Sequence, residues 1–201
     1  MKHPRTYHLP FSPVENDSKF ADMSVLKKSI VVVSEKMDGE CSTITKTDTF
    51  ARSVDSNNHP SRNWLKGYAA HFQYLLNDNE RIVGESLYAQ HSIAYDDLDS
   101  YFKGFMHWED DICSEWLKTL RIFNQYSVIP VPVLYTGPYD EIIIKEIYDG
   151  LDFEKQEGIV VRNVNSFQYD DFHLNVAKAV RPNHVTTDQH WTVNWIKNTM
   201  K

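Results

Sequence analysis

The sequence predicts an α+β fold with antiparallel sheets in a single domain. Three observations carry this. Short β-branched or alternating runs outnumber helical ones. Helices interrupt them irregularly, unlike the strict alternation of a doubly wound parallel sheet. The chain has 201 residues, enough for one domain with a proper hydrophobic core, and its 41% apolar and 24% charged residues exclude a disordered tail.

Each element follows in order. Residues 1–24 are polar and broken by Pro4, Pro10 and Pro13, which predicts an irregular arm over the core with a short helix near 18–23. Residues 29–35 (SIVVVSE) are β-branched and read as a buried strand. Met37-Asp38-Gly39 is a turn signal, and residues 41–50 alternate like the second strand of a hairpin. Ser61 is placed to cap a helix over 62–76, whose apolar face is Trp64, Leu65, Tyr68, Ala69, Phe72, Leu75 and Leu76. Residues 81–87 and 101–108 read as strands, and 114–125 as a helix with Leu117, Leu120 and Phe123 inward. Residues 131–135 contain Pro132, so this strand belongs at a sheet edge. A short helix over 139–148 ends at Gly150. Residues 158–162 and 174–180 are strands, and the tail 184–198 ends in a helix around Trp191 and Trp195. Repeats, low-complexity tracts and linkers are lacking, so 1–201 reads as one domain.

Composition narrows the function. Twenty-one basic against 28 acidic residues leave a formal charge of −7, which argues against coating nucleic acid by bulk charge but leaves room for a local basic groove. The apolar runs are far too short to cross a bilayer, and the N-terminus lacks the apolar stretch of a secretory signal, so neither a membrane partner nor export is expected. Cys41 and Cys113 are too few for a disulfide framework or a four-cysteine zinc site and suit a reducing cytoplasm.

The most telling segment is Glu35-Lys36-Met37-Asp38-Gly39-Glu40, which puts a lysine where a strand enters a tight turn. A lysine amine attacks phosphorus or carbonyl centres only when unprotonated, so burial or neighbouring cations must lower its pKa. Alone, Lys-x-Asp-Gly is equally a charged surface turn. Further segments follow in order: Arg52-Ser53, Gly84-Glu85, Phe105 in YFKGF, Glu157-Gly158-Ile-Val-Val-Arg162, and Val176-Ala177-Lys178-Ala-Val-Arg181. Each falls on a predicted strand or at its end.

In order and spacing these segments resemble motifs I, Ia, III, IIIa, IV and V of the covalent nucleotidyltransferases. Within that superfamily the chain is most similar to the nick-sealing branch of ATP-dependent RNA ligases. The resemblance implies an adenylyltransferase domain of two antiparallel sheets flanked by helices, in which Lys36 attacks the ATP α-phosphate and forms lysyl–AMP. It implies that Glu35 helps hold the adenine, mainly through its backbone, and that Phe105 stacks on it. The turn residues Asp38 and Gly39 belong to the same ATP site. Arg52 and Glu85 would contact the ribose or the RNA terminus, Lys178 would meet the α-phosphate, and Glu157 with Glu85 would hold Mg²⁺ or Mn²⁺. The implied partner is RNA with 5′-phosphate and 3′-OH ends. Carboxylates suit such hard cations on their own terms, and an aromatic ring suits any purine.

The chain also departs from the family pattern. Motif V usually carries two lysines one residue apart, yet the second position here is Val180, followed by Arg181. Cys41 stands two residues after the motif glycine, where RNA ligases often have Asn and many DNA ligases Arg. About 20 residues follow motif V, so no appended OB-fold is expected; the reading is a bare adenylyltransferase domain, minimal or assisted by a partner chain that supplies substrate binding. Two alternatives stay open: a DNA ligase adenylation domain, and a nucleotide- or RNA-binding module that keeps the fold without turnover. At single residues, Arg162 reads equally as a strand-capping ion pair. His59 and Arg62 read first as helix capping. His91 is left open, and the Asp96-Asp97, Asp110-Asp111 and Asp170-Asp171 pairs read as solvated loop charge.

Overall fold

A computed structural model describes residues 2–13, 19–52, 59–182 and 195–201. The chain forms two sheets. The first, of five strands, comprises β1 (Tyr7–His8), β2 (Ile30–Lys36), β9 (Val133–Pro138), β10 (Gly158–Asn163) and β12 (Val176–Val180), in the order β1-β12-β10-β2-β9. The second, of seven, comprises β3 (Glu40–Thr45), β4 (Thr49–Ala51), β5 (Glu80–Ser86), β6 (Phe102–Glu109), β7 (Ile112–Cys113), β8 (Ile129–Pro130) and β11 (Phe167–Gln168). Its order is β11-β7-β6-β5-β3-β4, with β8 also on β6. Pairing is antiparallel except at two short joins, β1 on β12 and β8 on β6, which are parallel. Four helices flank the sheets: α1 (Asn63–Ala70), α2 (Trp116–Gln125), α3 (Glu141–Asp149) and α4 (Phe172–Asn175).

The β-branched run on β2 explains its central place. Val31 and Val33 are fully buried in one core with Ile144 and Tyr148 of α3 and Ile159, Val161, Ala177 and Ala179 of β10 and β12. Val32 and Ser34, on the opposite face, line a cleft between the sheets. A second core packs α1 and α2 on the outer face of the other sheet through Leu65, Ala69, Ile82, Phe102 and Phe123.

The hairpin expected across Met37–Gly39 does not form. β2 pairs with β9 and β10, whereas β3 pairs with β4 and β5, so the turn carries the chain from one sheet to the other. The turn is clamped from outside. The Asp38 N–H donates to Tyr95 Oη at 2.9 Å, and Asp38 Oδ2 accepts from the Ile93 N–H at 2.7 Å. Gly39 packs so closely that an added Cβ would lie 2.5 Å from the Ser86 carbonyl oxygen. The alternating run 41–50 is itself a hairpin, β3 against β4, closed through Thr45 and Asp48.

Other boundaries shift for local reasons. The 62–76 helix is α1 between two 3-10 turns, Pro60–Arg62 and Gln73–Leu75. Ser61 is buried in the first turn, and His59 Nδ1 accepts its N–H. Leu75, expected inward, is 55% exposed. α2 buries Trp116, Thr119 and Phe123, an i, i+3, i+7 face that leaves Leu117 exposed. α4 occupies the start of the last expected strand. Residues 19–23 hold no helix; Phe20 bridges His8, which makes the arm an addition to the first sheet. The edge strand is found as expected, with Pro132 just before β9. Of the expected C-terminal helix, residues 184–194 with Trp191 lie outside the described residues. Residues 195–201 run as isolated bridges to Ala89 and Leu98 rather than as a helix.

Candidate active site

The two sheets face each other across a cleft of about 980 Å³. β2 delivers Lys36 to it at its last residue, and the register continues across the sheet, with Lys36 opposite Gly158 on β10 and Val160 opposite Lys178 on β12. Lys36 and Lys178 therefore approach one another over a single intervening strand. Lys36 Nζ donates to Glu157 Oε2 at 2.5 Å. Glu157 is 7% exposed, and its carbonyl accepts the Arg181 N–H. From the other sheet, β5 supplies Glu85 and β4 leads into Arg52, whose Nε is buried with no hydrogen-bond partner among the described residues. Gly158 lets motif IV pass close to β12: its φ is +156°, and its Cα faces the Ala179 carbonyl at a separation that excludes a side chain.

Phe105 reaches the cleft through a bulge. Val83 pairs with Met106 and Gly84 with Gly104, so Phe105 is one residue too many on β6. The extra residue leaves Phe102 and Gly104 facing the helices while Met106 and Trp108 face the other sheet. Phe105 itself is half-buried in the cleft wall, with His3 edge-on to its ring at 5.5 Å.

The electrostatics follow from this crowding. Burial disfavours the Lys36 ammonium, but Glu157, Glu85 and Asp38 outweigh it and hold its pKa above the ordinary lysine value. The Glu85 carboxyl is pushed up to about 8 by burial, with Glu157 and Asp38 adding to the effect against Lys36. The Lys178 ammonium is pulled down to about 8 by burial and by Lys36, Arg5 and Arg52, against Glu157. Two acidic side chains crowded around one lysine form an oxygen-rich donor set, the kind a divalent cation takes.

Residues 29–180 match the sequence model of the RNA ligase family. The chain belongs to the RNA ligase family. Its fold agrees. An archaeal ATP-dependent RNA ligase matches with a TM-score of 0.61 at 15% identity, over 89% of this chain and 48% of that one. A putative ATP-dependent DNA ligase from Aquifex aeolicus matches with a TM-score of 0.58 at 16% identity, over 89% and 49%. A Naegleria gruberi RNA ligase variant with ATP and Mn matches with a TM-score of 0.53 at 16% identity, over 80% and 52%. The chain thus spans about half the length of these structures. No curated protein matches it.

In this RNA ligase family member the cleft gathers Glu35, Lys36, Gly39, Arg52, Glu85, Phe105 and Lys178, with Glu157 reaching it through Lys36. Asp38 is not in the lining; its carboxylate is spent on the Ile93 N–H. The Glu35 N–H donates to the Pro132 carbonyl, and its carboxylate accepts from Gln156 at 2.9 Å. Among the described residues Arg162 makes no ion pair: it is 3% exposed, donates to the Ser114 and Asn163 carbonyls, and lies 5.4 Å from the Trp116 ring. Arg62 holds Glu40 through two bonds of 2.7 and 2.5 Å at the cleft wall. His91 lines the cleft, and Cys41 does too, with burial and Glu85 pushing its thiol up.

Val180 is fully buried and its carbonyl accepts from Tyr148 Oη. Arg181 donates to the Phe153 carbonyl at 3.0 Å and is not in the lining, so it faces away from Lys178. Sequence reasoning gave no residue of the arm a place in the site, yet His3, Pro4, Arg5 and Thr6 all line the cleft. The pairing of β1 with β12 holds them on one side, and the contacts of Lys2 and His3 on the other.

Proposed function

We propose that this chain is an ATP-dependent RNA ligase acting through lysyl–AMP. The observation that carries the reading is the convergence of Lys36, Glu157, Glu85, Arg52, Phe105 and Lys178, from six separate stretches of sequence, on one cleft in a chain of this family. Lys36 loses its proton, and its Nζ lone pair then attacks the ATP α-phosphorus. An N–P bond forms, the bond to the bridging oxygen breaks, and pyrophosphate leaves. An oxygen of an RNA 5′-phosphate next attacks the same phosphorus, breaking the N–P bond and freeing Lys36. The adjacent 3′-OH finally attacks the RNA phosphorus and AMP departs.

Each neighbour has a task in this scheme. Lys178 neutralises charge on the α-phosphate, the main requirement of phosphoryl transfer. The Phe105 ring offers the adenine a stacking face. The buried Arg52 Nε–H, without an acceptor among the described residues, points to a ribose or phosphate oxygen as its partner. Glu157 and Glu85 are the residues that would hold Mg²⁺ or Mn²⁺, which when bound neutralises phosphate charge and draws the carboxylates off Lys36. RNA as acceptor, and any partner chain that helps seat it, belong to the same reading.

Intact mass after incubation with ATP and either metal tests the first step. An AMP-sized gain, reversed by pyrophosphate and absent in Lys36→Ala, supports it. ATP binding without any covalent gain would replace it with a binding module. A panel of nicked RNA, DNA and hybrid duplexes then identifies the acceptor.

A further inference from the structure

We propose that Arg5, carried into the cleft by the N-terminal arm, is the second phosphate-binding cation of this site and takes the outer phosphates of ATP. The inference rests on the ligase reading above and adds a residue to it. The position two after Lys178 is apolar and buried, and Arg181 is committed to the Phe153 carbonyl. Of the residues β12 turns to the cleft, Val176 and Lys178, one is a cation.

The arm supplies what the strand does not. β1 lies parallel to β12 with His8 opposite Lys178, and the Leu9 N–H donates to the Lys178 carbonyl at 2.7 Å. Upstream, Tyr169 Oη donates to the Lys2 carbonyl at 2.6 Å, and the His3 ring sits against Phe105 and Phe172 at 5.5 and 5.2 Å. Arg5 lies between these two anchors, so its backbone is fixed while its side chain lines the cleft in an exposed position. A backbone pinned on both sides lowers the entropy lost when the guanidinium engages a ligand. Lys178 is half-buried and Arg5 exposed, which orders them along a nucleotide: Lys178 at the α-phosphate, Arg5 further out. A guanidinium there would bind two phosphate oxygens at once and stabilise the charge that collects on departing pyrophosphate.

The test compares the wild-type chain, Arg5→Ala and Arg5→Lys in three measurements. The first is the affinity for AMP and for α,β-methylene-ATP, whose methylene bridge prevents loss of pyrophosphate. The second is the rate of lysyl–AMP formation against ATP concentration. The third is sealing of a nick that already carries a 5′-adenylate, without ATP. Arg5→Ala is expected to bind α,β-methylene-ATP about tenfold or more weakly and to form lysyl–AMP about 10- to 100-fold less efficiently. Its AMP affinity and its rate on the pre-adenylated nick should stay within about twofold of wild type, with Arg5→Lys recovering part of the loss. Unchanged α,β-methylene-ATP binding in Arg5→Ala overturns the inference, as does equal loss of AMP binding and pre-adenylated sealing. Wild-type protein that forms no lysyl–AMP overturns the ligase reading itself, a result visible before any Arg5 variant is compared.

Discussion

In the proposed lysyl–AMP scheme, Lys36 is asked to do two things that oppose each other. It must be neutral to attack, yet Glu157 at 2.5 Å and the nearby Glu85 favour its ammonium form. Because its pKa is raised, the pair's contribution to stability is complete below the ordinary lysine value of about 10.4 and is lost as pH climbs through the raised one. Activation therefore depends on moving negative charge away from Lys36. Glu85 and Lys178 both titrate at about 8 and in opposite senses, one gaining charge and one losing it. The second-order rate of lysyl–AMP formation is expected to rise toward pH 8 and fall beyond it. In Lys178→Arg the falling limb should vanish, because a guanidinium keeps its charge, even though the overall rate drops. Glu85 also carries a stability cost. Its folded pKa of about 8 lies above the usual 4.5, so the folded state binds the extra proton between those values and stability falls as pH rises through them. Glu85→Gln should raise the unfolding temperature at pH 8.5 by roughly 3–10 °C, leave it nearly unchanged at pH 4, and abolish ligation. A denaturation series at the two pH values measures this.

At the scale of elements, two substitutions separate what the site needs from what the fold needs. Gly158→Ala places a Cβ against the Ala179 backbone at a positive φ, and is expected to cost about 3 kcal/mol or more while spreading β10 from β12. Lys36 and Lys178 flank that strand, so adenylylation should fall further than the loss of folded protein explains. Asp140→Ala removes the cap whose carboxylate accepts from the Ile142 and Ile143 N–H groups on α3. That change should cost about 1 kcal/mol by urea unfolding and leave adenylylation intact, because α3 packs on the face of the first sheet away from the cleft. The same contrast marks how far sequence reaches. Val31 and Val33 declared their buried face through β-branching, and the motif residues were legible through their order and spacing, with Lys36, Arg52, Glu85 and Glu157 at or beside strand ends and Phe105 and Lys178 within β6 and β12. What alternation encodes is a face, not a neighbour, so the Met37–Gly39 turn looked like a hairpin when its glycine and aspartate serve a crossing between sheets. The arm was legible as an arm, but the site role of its residues was not. His3 and Arg5 reach the cleft through the pairing of β1 with β12 and the hold on Lys2, long-range contacts local sequence does not foreshadow.

Across the whole molecule, the net charge of −7 and the cleft tell different stories. Arg52, Arg62, Lys36 and Lys178 meet in one concavity of an otherwise acidic protein. Such a layout should give RNA binding that is weak and local, with log affinity for nicked RNA falling against log salt at a slope of about −1 to −3. Titrations at 50 and 200 mM salt measure it, and tight binding indifferent to salt would contradict the layout. One further consequence belongs to the bulge at Phe105. Phe105 is the residue the ladder itself does not need. Without it Gly104–Gly84 and Met106–Val83 would follow one another as regular pairs, Met106 and Trp108 would still face the opposite sheet, and the cleft would lose its aromatic ring while the sheet kept its register.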